Sequence, residues 1–164
     1  MIRLMKWTRI SHFLLLLLVL SITDSFAAEL STTRMVSMIR PLEQYAMQYG
    51  EGNIKAYVFV DPKCPHSRDF ISMIHDNEKM RGIYHYYIFF YELKRFDSHK
   101  LIGTIYTSSS PLQKMLEVMV GGKEIEPLSS LSPQIEEEIG DIENVALQLG
   151  VNKRPYLIIA KEWK

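Results

Sequence analysis

The sequence is poor in cysteine: Cys64 is the only one among 164 residues. One cysteine excludes an internal disulfide, and it excludes a Cys-x-x-Cys redox centre, which needs two thiols. It is also too few for a zinc site built from several thiolates. The single thiol is therefore either buried and inert or available to a partner molecule.

An excess of charge of one sign is also missing, because 19 basic residues balance 19 acidic ones. Neither a basic stripe nor an arginine-rich arm is present, so the sequence predicts no nucleic-acid partner. A nucleotide-binding loop, a Ser-His-Asp arrangement and paired catalytic carboxylates are likewise absent. The histidines outside the N-terminal region do not fall at zinc-ligand spacings: His66, His75, His85 and His99. We therefore expect no cofactor and no metal ion.

The N-terminal region has the three parts of a secretory signal peptide. Basic residues come first: Arg3, Lys6 and Arg9. The apolar run over residues 13–22 is shorter than the roughly 20 residues of a membrane span, and it leads to Ala27 and Ala28. The pattern predicts a signal peptide over residues 1–27, with cleavage after Ala28 and an uncleaved anchor as alternatives. Export then places the protein in the periplasm, with no membrane association after cleavage.

The remaining 137 residues, 164 minus 27, suit one domain. Their hydrophobic periodicity predicts strands over residues 54–60, 83–91 and 156–160. It predicts helices over residues 31–49 and 65–82, and further helices that begin at Pro111 and Pro133. This alternation indicates an α/β layer architecture, with an N-terminal helical segment at residues 28–52 and the main domain at residues 53–164.

The first strand leads directly to the cysteine. Residues 54–60 are almost all apolar, as in a central strand that is buried on both faces. Asp61-Pro62 ends the strand, and Pro65 suits the first position of a helix. Cys64 therefore takes the cap position, where the first-turn N–H groups and the helix dipole stabilise a thiolate.

This order of elements resembles the thioredoxin fold. Cys64-Pro65-His66 matches the start of the Cys-Pro-His-Cys centre of the DsbA oxidants, whereas the wider spacing is more similar to the catalytic domain of the DsbC/DsbG disulfide isomerases. Residues 119–123 resemble the Met-Ala-Gly-Lys end of that family's inserted helix, and residues 146–151 resemble its Gln-Leu-Gly-Val approach to the cis-proline. Over nearly the whole mature chain, the resemblance implies a thioredoxin-like α/β fold with a helical insertion.

The resemblance also implies the residues of the site. The centre would be Cys-Pro-His-Ser, made of Cys64, Pro65, His66 and Ser67. Cys64 would be the nucleophile of thiol–disulfide exchange. Pro155 would be the cis-proline, and Arg154 would face the cysteine, where it stabilises a thiolate or attracts an acidic or glutathione-like partner. Arg154 and Pro155 are both expected to bind substrate.

The sequence departs from the isomerases in four ways. Ser67 replaces the resolving cysteine, and Thr107 stands where a second, structural disulfide would have one of its cysteines. No room exists before residue 31 for the family's N-terminal dimerisation domain. The chain stops at Lys164, shortly after the strand that follows Pro155, so we expect a C-terminally truncated fold whose last strand is a sheet edge. Either a partner chain completes the sheet, the N-terminal helix substitutes, or the gene product is truncated.

Two functions are consistent with such a site. The first is isomerase-like exchange, in which a single catalytic cysteine forms mixed disulfides with exported proteins that carry cysteines or disulfides. The alternative is a non-enzymatic thioredoxin-fold binding or assembly module of the cell envelope, for example in a secretion or conjugation apparatus. The missing resolving cysteine and the free sheet edge favour the alternative.

Overall fold

The central sheet has four strands within residues 32–160, the part of the chain that the computed structural model describes. They are β1 (Met47–Tyr49), β2 (Ile54–Val60), β3 (Tyr84–Phe90) and β4 (Tyr156–Ile159). The order across the sheet is β1-β3-β2-β4, with β2 and β3 parallel and both edge strands antiparallel to their neighbours. The predicted signal peptide lies outside the described residues.

Helices fill the connections between the strands. Before the sheet, α1 covers residues 32–39, and a 3-10 turn (Arg40–Tyr45) follows it. Between β2 and β3 lie α2 (Pro65–Asp76) and α3 (Glu78–Ile83). Between β3 and β4 lie α4 (His99–Tyr106), α5 (Pro111–Met119) and α6 (Pro133–Gln148). In the part of the chain described here, no helix has both the length and the apolar composition needed to cross a membrane.

Strand β2 is buried on both faces, which explains its unbroken apolar sequence. Residues 56–60 are at most 1% exposed. Val58 belongs to the main hydrophobic cluster, which includes side chains from α2, α4 and α5. On the other face, the ring of Phe59 stacks on Phe89 with 5.3 Å between the ring centroids. The predicted strand over residues 54–60 is confirmed with those bounds.

The 3-10 turn Arg40–Tyr45 packs against the sheet face that carries Tyr57. The Tyr57 hydroxyl donates a hydrogen bond to Oε1 of Glu43 at 2.5 Å, and Nζ of Lys55 donates to Oε2 at 2.9 Å. Leu42 in the same turn is buried. The 3-10 turn therefore covers part of this face.

The helix predicted over residues 31–49 is wrong at its C-terminal end. Met47–Tyr49 form β1, in which Met47 is the register partner of Ile88. Ala46 already has an extended backbone, with ψ 137°. The edge of β3 offers backbone partners at this point, and that tertiary pairing outweighs the helical spacing of the apolar side chains. The sheet therefore includes part of the predicted N-terminal helical segment, residues 28–52.

The helix predicted over residues 65–82 is in fact two helices. Asn77 separates them, with φ −112° and ψ 89°, and its side chain accepts a hydrogen bond from the Met80 N–H at 3.1 Å. This contact is an N-cap that starts α3. The other predicted starts and strands are confirmed to within one residue at each end.

Helix α4 was not predicted, because the polar residues before it resemble a connection and Gly103 interrupts its helical pattern. The glycine has a packing reason. A Cβ on Gly103 would meet the end of the Leu131 side chain, which would have to shift, so glycine accommodates the close approach of the 123–132 loop to α4.

Candidate functional site

Cys64 lies where β2 passes into α2. It is the N-cap residue of α2, with φ −75° and ψ 120°, and Pro65 occupies the first helical turn. The Cys64 N–H donates to the Asp61 carbonyl at 3.1 Å, and the Cys64 carbonyl accepts the Arg68 N–H at 3.0 Å. The predicted cap position is thus confirmed, and the thiol lies at the positive end of a helix.

The loop before β4 meets this helix terminus. The peptide bond between Arg154 and Pro155 is cis, as predicted. Sγ of Cys64 lies 3.9 Å from the carbonyl oxygen of Arg154. Two segments 90 residues apart in the chain therefore come together at the thiol. The residue before the proline faces the cysteine through its backbone rather than through its guanidinium group.

The thiol is covered in this conformation. Cys64 is 1% exposed, whereas Pro65 and His66 beside it are exposed. A bulky disulfide reaches Sγ only if the covering atoms move. The exposed Pro65-His66 corner lies directly beside the covered thiol in the chain.

Ser67 is fully buried and has a structural partner. Its Oγ accepts a hydrogen bond from the Asp61 N–H at 3.2 Å, which joins the first turn of α2 to the end of β2. The side chain thus holds the helix start in place. A hydroxyl cannot replace a thiol in disulfide exchange, because the reaction needs a sulfur nucleophile.

Asp61 organises the site, although the sequence indicated only that it ends a strand. Its carboxylate is fully buried. Oδ1 accepts the Lys63 N–H at 2.8 Å, while Oδ2 accepts the Leu93 N–H at 2.5 Å and the Ser98 hydroxyl at 2.8 Å. One side chain therefore joins the loops that follow β2 and β3. The available signal was a carboxylate directly after a strand that is apolar on both faces.

Arg154 is a buried cation that binds backbone carbonyls. It is 6% exposed, its Nε donates to the Tyr91 carbonyl at 2.8 Å, and one Nη donates to the Glu92 carbonyl at 3.1 Å. The guanidinium also lies 3.7 Å from the centroid of the Tyr91 ring. Burial lowers the pKa of Arg154, while Tyr91 and the nearby Asp61 and Cys64 oppose that effect. Its charge is thus held inside the site, next to the cysteine.

A groove runs beside the start of α2. Its volume is about 410 Å³, and it is bounded by Lys63, Arg68 and residues 122–127. Nζ of Lys63 donates to the Asp97 carbonyl at 2.7 Å, which fixes this wall to the loop after β3. Lys63 and Arg68, which line this open groove, flank the Pro65-His66 corner in the sequence.

Within residues 32–160, no group of three or more His, Cys, Asp and Glu side chains is arranged to hold a metal ion. Two of the histidines have other partners. Nδ1 of His75 lies 2.7 Å from the Tyr49 hydroxyl, and Nε2 of His99 lies 2.9 Å from Oε2 of Glu136.

No protein-family model and no curated protein matches this sequence. Solved structures similar to it in fold include the following two. A disulfide interchange protein from Neisseria gonorrhoeae aligns with a TM-score of 0.52 and 22% identity, over 70% of this chain and 79% of that chain. The thiol-disulfide exchange protein alpha-DsbA2 from Wolbachia pipientis aligns with a TM-score of 0.52 and 15% identity, over 82% of this chain and 87% of that chain. This chain has the thioredoxin-like α/β fold.

Proposed function

We propose that this protein is a periplasmic, isomerase-like thiol–disulfide exchange protein in which Cys64 is the only catalytic nucleophile. The observation that supports it best is the position of Sγ, at the N-terminus of α2 and 3.9 Å from the carbonyl oxygen of Arg154, the residue before the cis-proline. The names of the two similar solved proteins agree with this chemistry.

The first step is attack of the Cys64 thiolate on one sulfur of a substrate disulfide. A new S–S bond joins Cys64 to that sulfur, and the old S–S bond breaks. The second substrate sulfur leaves as a thiolate and takes a proton from solvent. The position of Sγ at the N-terminus of α2 favours a negative charge on the attacking sulfur.

The second step needs a thiol from outside this chain's described site, because Ser67 has no sulfur. A second thiol of the same substrate, or a small external thiol, attacks the mixed disulfide and releases the Cys64 thiolate. When the substrate supplies the thiol, its disulfides change partners and no net oxidation occurs. Isomerisation is therefore the reaction that one cysteine can complete in a single encounter.

Recovery of a scrambled-disulfide protein in glutathione buffer tests the proposal. We expect the wild-type mature protein to raise the rate of recovery, and Cys64→Ser to reduce it to the uncatalysed rate. Trapping provides a second test, because Ser67 cannot resolve a mixed disulfide. Periplasmic extract should yield covalent adducts on a non-reducing gel that disappear with Cys64→Ser. Equal recovery with both proteins, and no adduct, would overturn the proposal.

A second function is favoured by two other observations: the thiol is 1% exposed, and β4 has a free edge within residues 32–160, with Leu157 44% exposed. These features suit a non-enzymatic binding module of the cell envelope, whose partner pairs with the edge. Under that function, Cys64→Ala leaves partner binding unchanged. Replacing an inward-facing β4 residue, or blocking the free edge of β4, abolishes binding. Loss of binding with Cys64→Ala would exclude it.

A further inference from the structure

Three segments surround Cys64 at one end of the sheet, and they are termed the rim segments: residues 61–68, 91–98 and 151–155. The register brings them together, because Val60 at the end of β2 is paired with Phe90 at the end of β3, and Phe59 is paired with Tyr156 at the start of β4. Direct contacts confirm the arrangement, since Arg154 donates to the carbonyls of residues 91 and 92.

The rim segments are basic although the chain is neutral overall. They contain six basic residues, namely Lys63, Arg68, Lys94, Arg95, Lys153 and Arg154, and three acidic ones, which gives a formal charge of +3. The other described residues contain eight basic and thirteen acidic residues, which gives −5. The charge is therefore separated across the molecule, with the positive end at the cysteine.

The positive charges of the rim segments are not held in ion pairs with any described residue. Among the described residues, ion pairs involve Lys55, Lys114, Lys123 and His99, and none includes a cation of the rim segments. The acidic groups of the rim are turned inward, since Asp61 is fully buried and Oε1 of Glu92 accepts the Ser98 and His99 N–H groups. Only Asp97 is an exposed carboxylate there.

The exposed cations of the rim segments are Lys63, Lys94, Arg95 and Lys153. They come from all three segments, so they border the cysteine from more than one side. On the groove side, Glu124 and Glu126 mark where the basic surface ends. A ligand that follows the basic surface therefore lies across the helix terminus, towards the loops after β3 and before β4.

We propose that the rim segments bind an acidic stretch of the polypeptide that carries the reacting sulfur. The substrate class is then exported proteins in which Asp or Glu residues flank a cysteine or disulfide. This inference rests on the proposed function. Charge complementarity of this kind mainly raises the association rate, by about 10- to 1000-fold in known cases, and it selects against partners of like charge.

Model peptides test the inference. Three peptides of equal length carry a central cysteine as a mixed disulfide with 2-thiopyridine, flanked by Glu, Ser or Lys. Attack by Cys64 forms the protein–peptide disulfide, breaks the bond to thiopyridine and releases pyridine-2-thione, whose absorbance gives the rate. At about 10 mM salt, where the Debye length is about 30 Å, we expect the Glu peptide to react about tenfold faster than the Ser peptide. At about 1 M salt the Debye length is about 3 Å, and the rates of the three peptides should converge.

Reversing the charge of a single lysine tests whether the rim segments cause the preference for the Glu peptide. Lys94→Glu should reduce the preference for the Glu peptide about threefold at low salt. Lys79→Glu is the matched control, because Lys79 is also exposed but lies in α3, which enters β3 at the opposite end of the sheet. We expect this control to leave the preference unchanged.

The outcomes separate the two proposals. Equal rates for the three peptides, a preference that persists at high salt, or equal effects of the two reversals would overturn the acidic substrate class and leave the exchange function standing. No reaction with any peptide would overturn the exchange function, and this inference with it. Binding of phosphatidylglycerol vesicles without any preference for the Glu peptide would assign the basic surface to a membrane and would also overturn the inference.

Discussion

At the scale of single residues, the site depends on a buried carboxylate beside the thiol. Asp61 accepts hydrogen bonds from two backbone N–H groups and from the Ser98 hydroxyl, and so fixes the loops after β2 and β3. Asp61→Ala leaves these donors without a partner, and each buried orphan costs about 1–3 kcal/mol. We expect the free energy of unfolding in urea to fall by about 3 kcal/mol.

Asp69→Ala is the control for this prediction, because Asp69 lies in the same helix region but is exposed. It should change the free energy of unfolding by less than about 0.5 kcal/mol. Equal losses for both variants would show that the bonds to Asp61 contribute no specific stability.

Ser67 occupies the position at which the proposed exchange site lacks a second thiol. Positions 64 and 67 are three residues apart at a helix start, where side chains are neighbours at about 5–6 Å. We expect Ser67→Cys to form an internal disulfide on oxidation and to shorten the lifetime of any mixed disulfide with Cys64. Thiol counting by mass spectrometry after oxidation measures the first effect, and a non-reducing gel measures the second.

Ser72→Cys is the matched control for the restored centre. Ser72 lies eight positions after Cys64, about 12 Å along the helix, which is beyond the Cα separation of about 7 Å that a disulfide spans. This variant should retain two free thiols. An internal disulfide in the control but not in Ser67→Cys would contradict the geometry of the helix start.

At the scale of secondary-structure elements, local signals predicted most of the fold. Pro65, Pro111 and Pro133 each begin a helix because proline needs no N–H partner there, and all three starts are confirmed. Strand β2 was predicted within its true bounds, because a strand buried on both faces is apolar throughout. The helix starts and the bounds of β2 depend on residues that are close in the sequence, so they can be predicted from the sequence alone.

The elements that were missed depend on distant residues. The helical spacing of apolar residues that ends at Tyr49 predicted a helix, but pairing with β3 makes this segment a strand. Gly103 weakens the helical sequence pattern of α4, and its reason for being there, the packing of Leu131, lies 28 residues away. The site shows the same division. The cap position of Cys64 was predictable from its neighbours, whereas the hydrogen bonds from Asp61 to residues 93 and 98 were not.

The carboxylate of Glu43 joins the 3-10 turn before β1 to Lys55 and Tyr57 of β2. This contact predicts that the free energy of unfolding depends on pH. Burial acts to raise the pKa of Glu43, but hydrogen bonds from Tyr57 and Lys55 outweigh it and hold the pKa below its ordinary value of 4.5. A carboxyl whose pKa is lower in the folded state adds stability above its unfolded pKa, and that stability is lost as the pH falls through the folded pKa.

We therefore expect Glu43→Gln to lower the free energy of unfolding at pH 7 and to differ less from the wild type below about pH 4.5. Urea unfolding at a series of pH values measures this difference. Glu137→Gln, at an exposed position of α6, controls for the loss of one carboxylate. If the free energy of unfolding of Glu43→Gln were lower than that of the wild type by the same amount at every pH, the charged carboxylate would not be what stabilises the turn.

At the scale of the whole molecule, stability and reactivity lie in different parts. The central strands β2 and β3 are buried on both faces, with residues 56–60 and 86–90 almost fully covered. The cysteine, the basic rim segments and the groove lie at one end of this sheet, on loops that hydrogen bonds hold together. The buried sheet therefore positions the site, and under the proposed function the atoms that cover Cys64 must move before it reacts.

Hydrogen exchange measures this division along the chain. Amides in the centres of β2 and β3 should exchange only through global unfolding, so their exchange free energy should equal the unfolding free energy from urea. Those of β4 should exchange through smaller openings, because β4 has β2 as its one neighbour in residues 32–160 and Leu157 is 44% exposed. Protection of β4 equal to that of β2 in dilute protein would contradict a free edge. Protection that rises with protein concentration would instead show that a second copy of the chain pairs with β4.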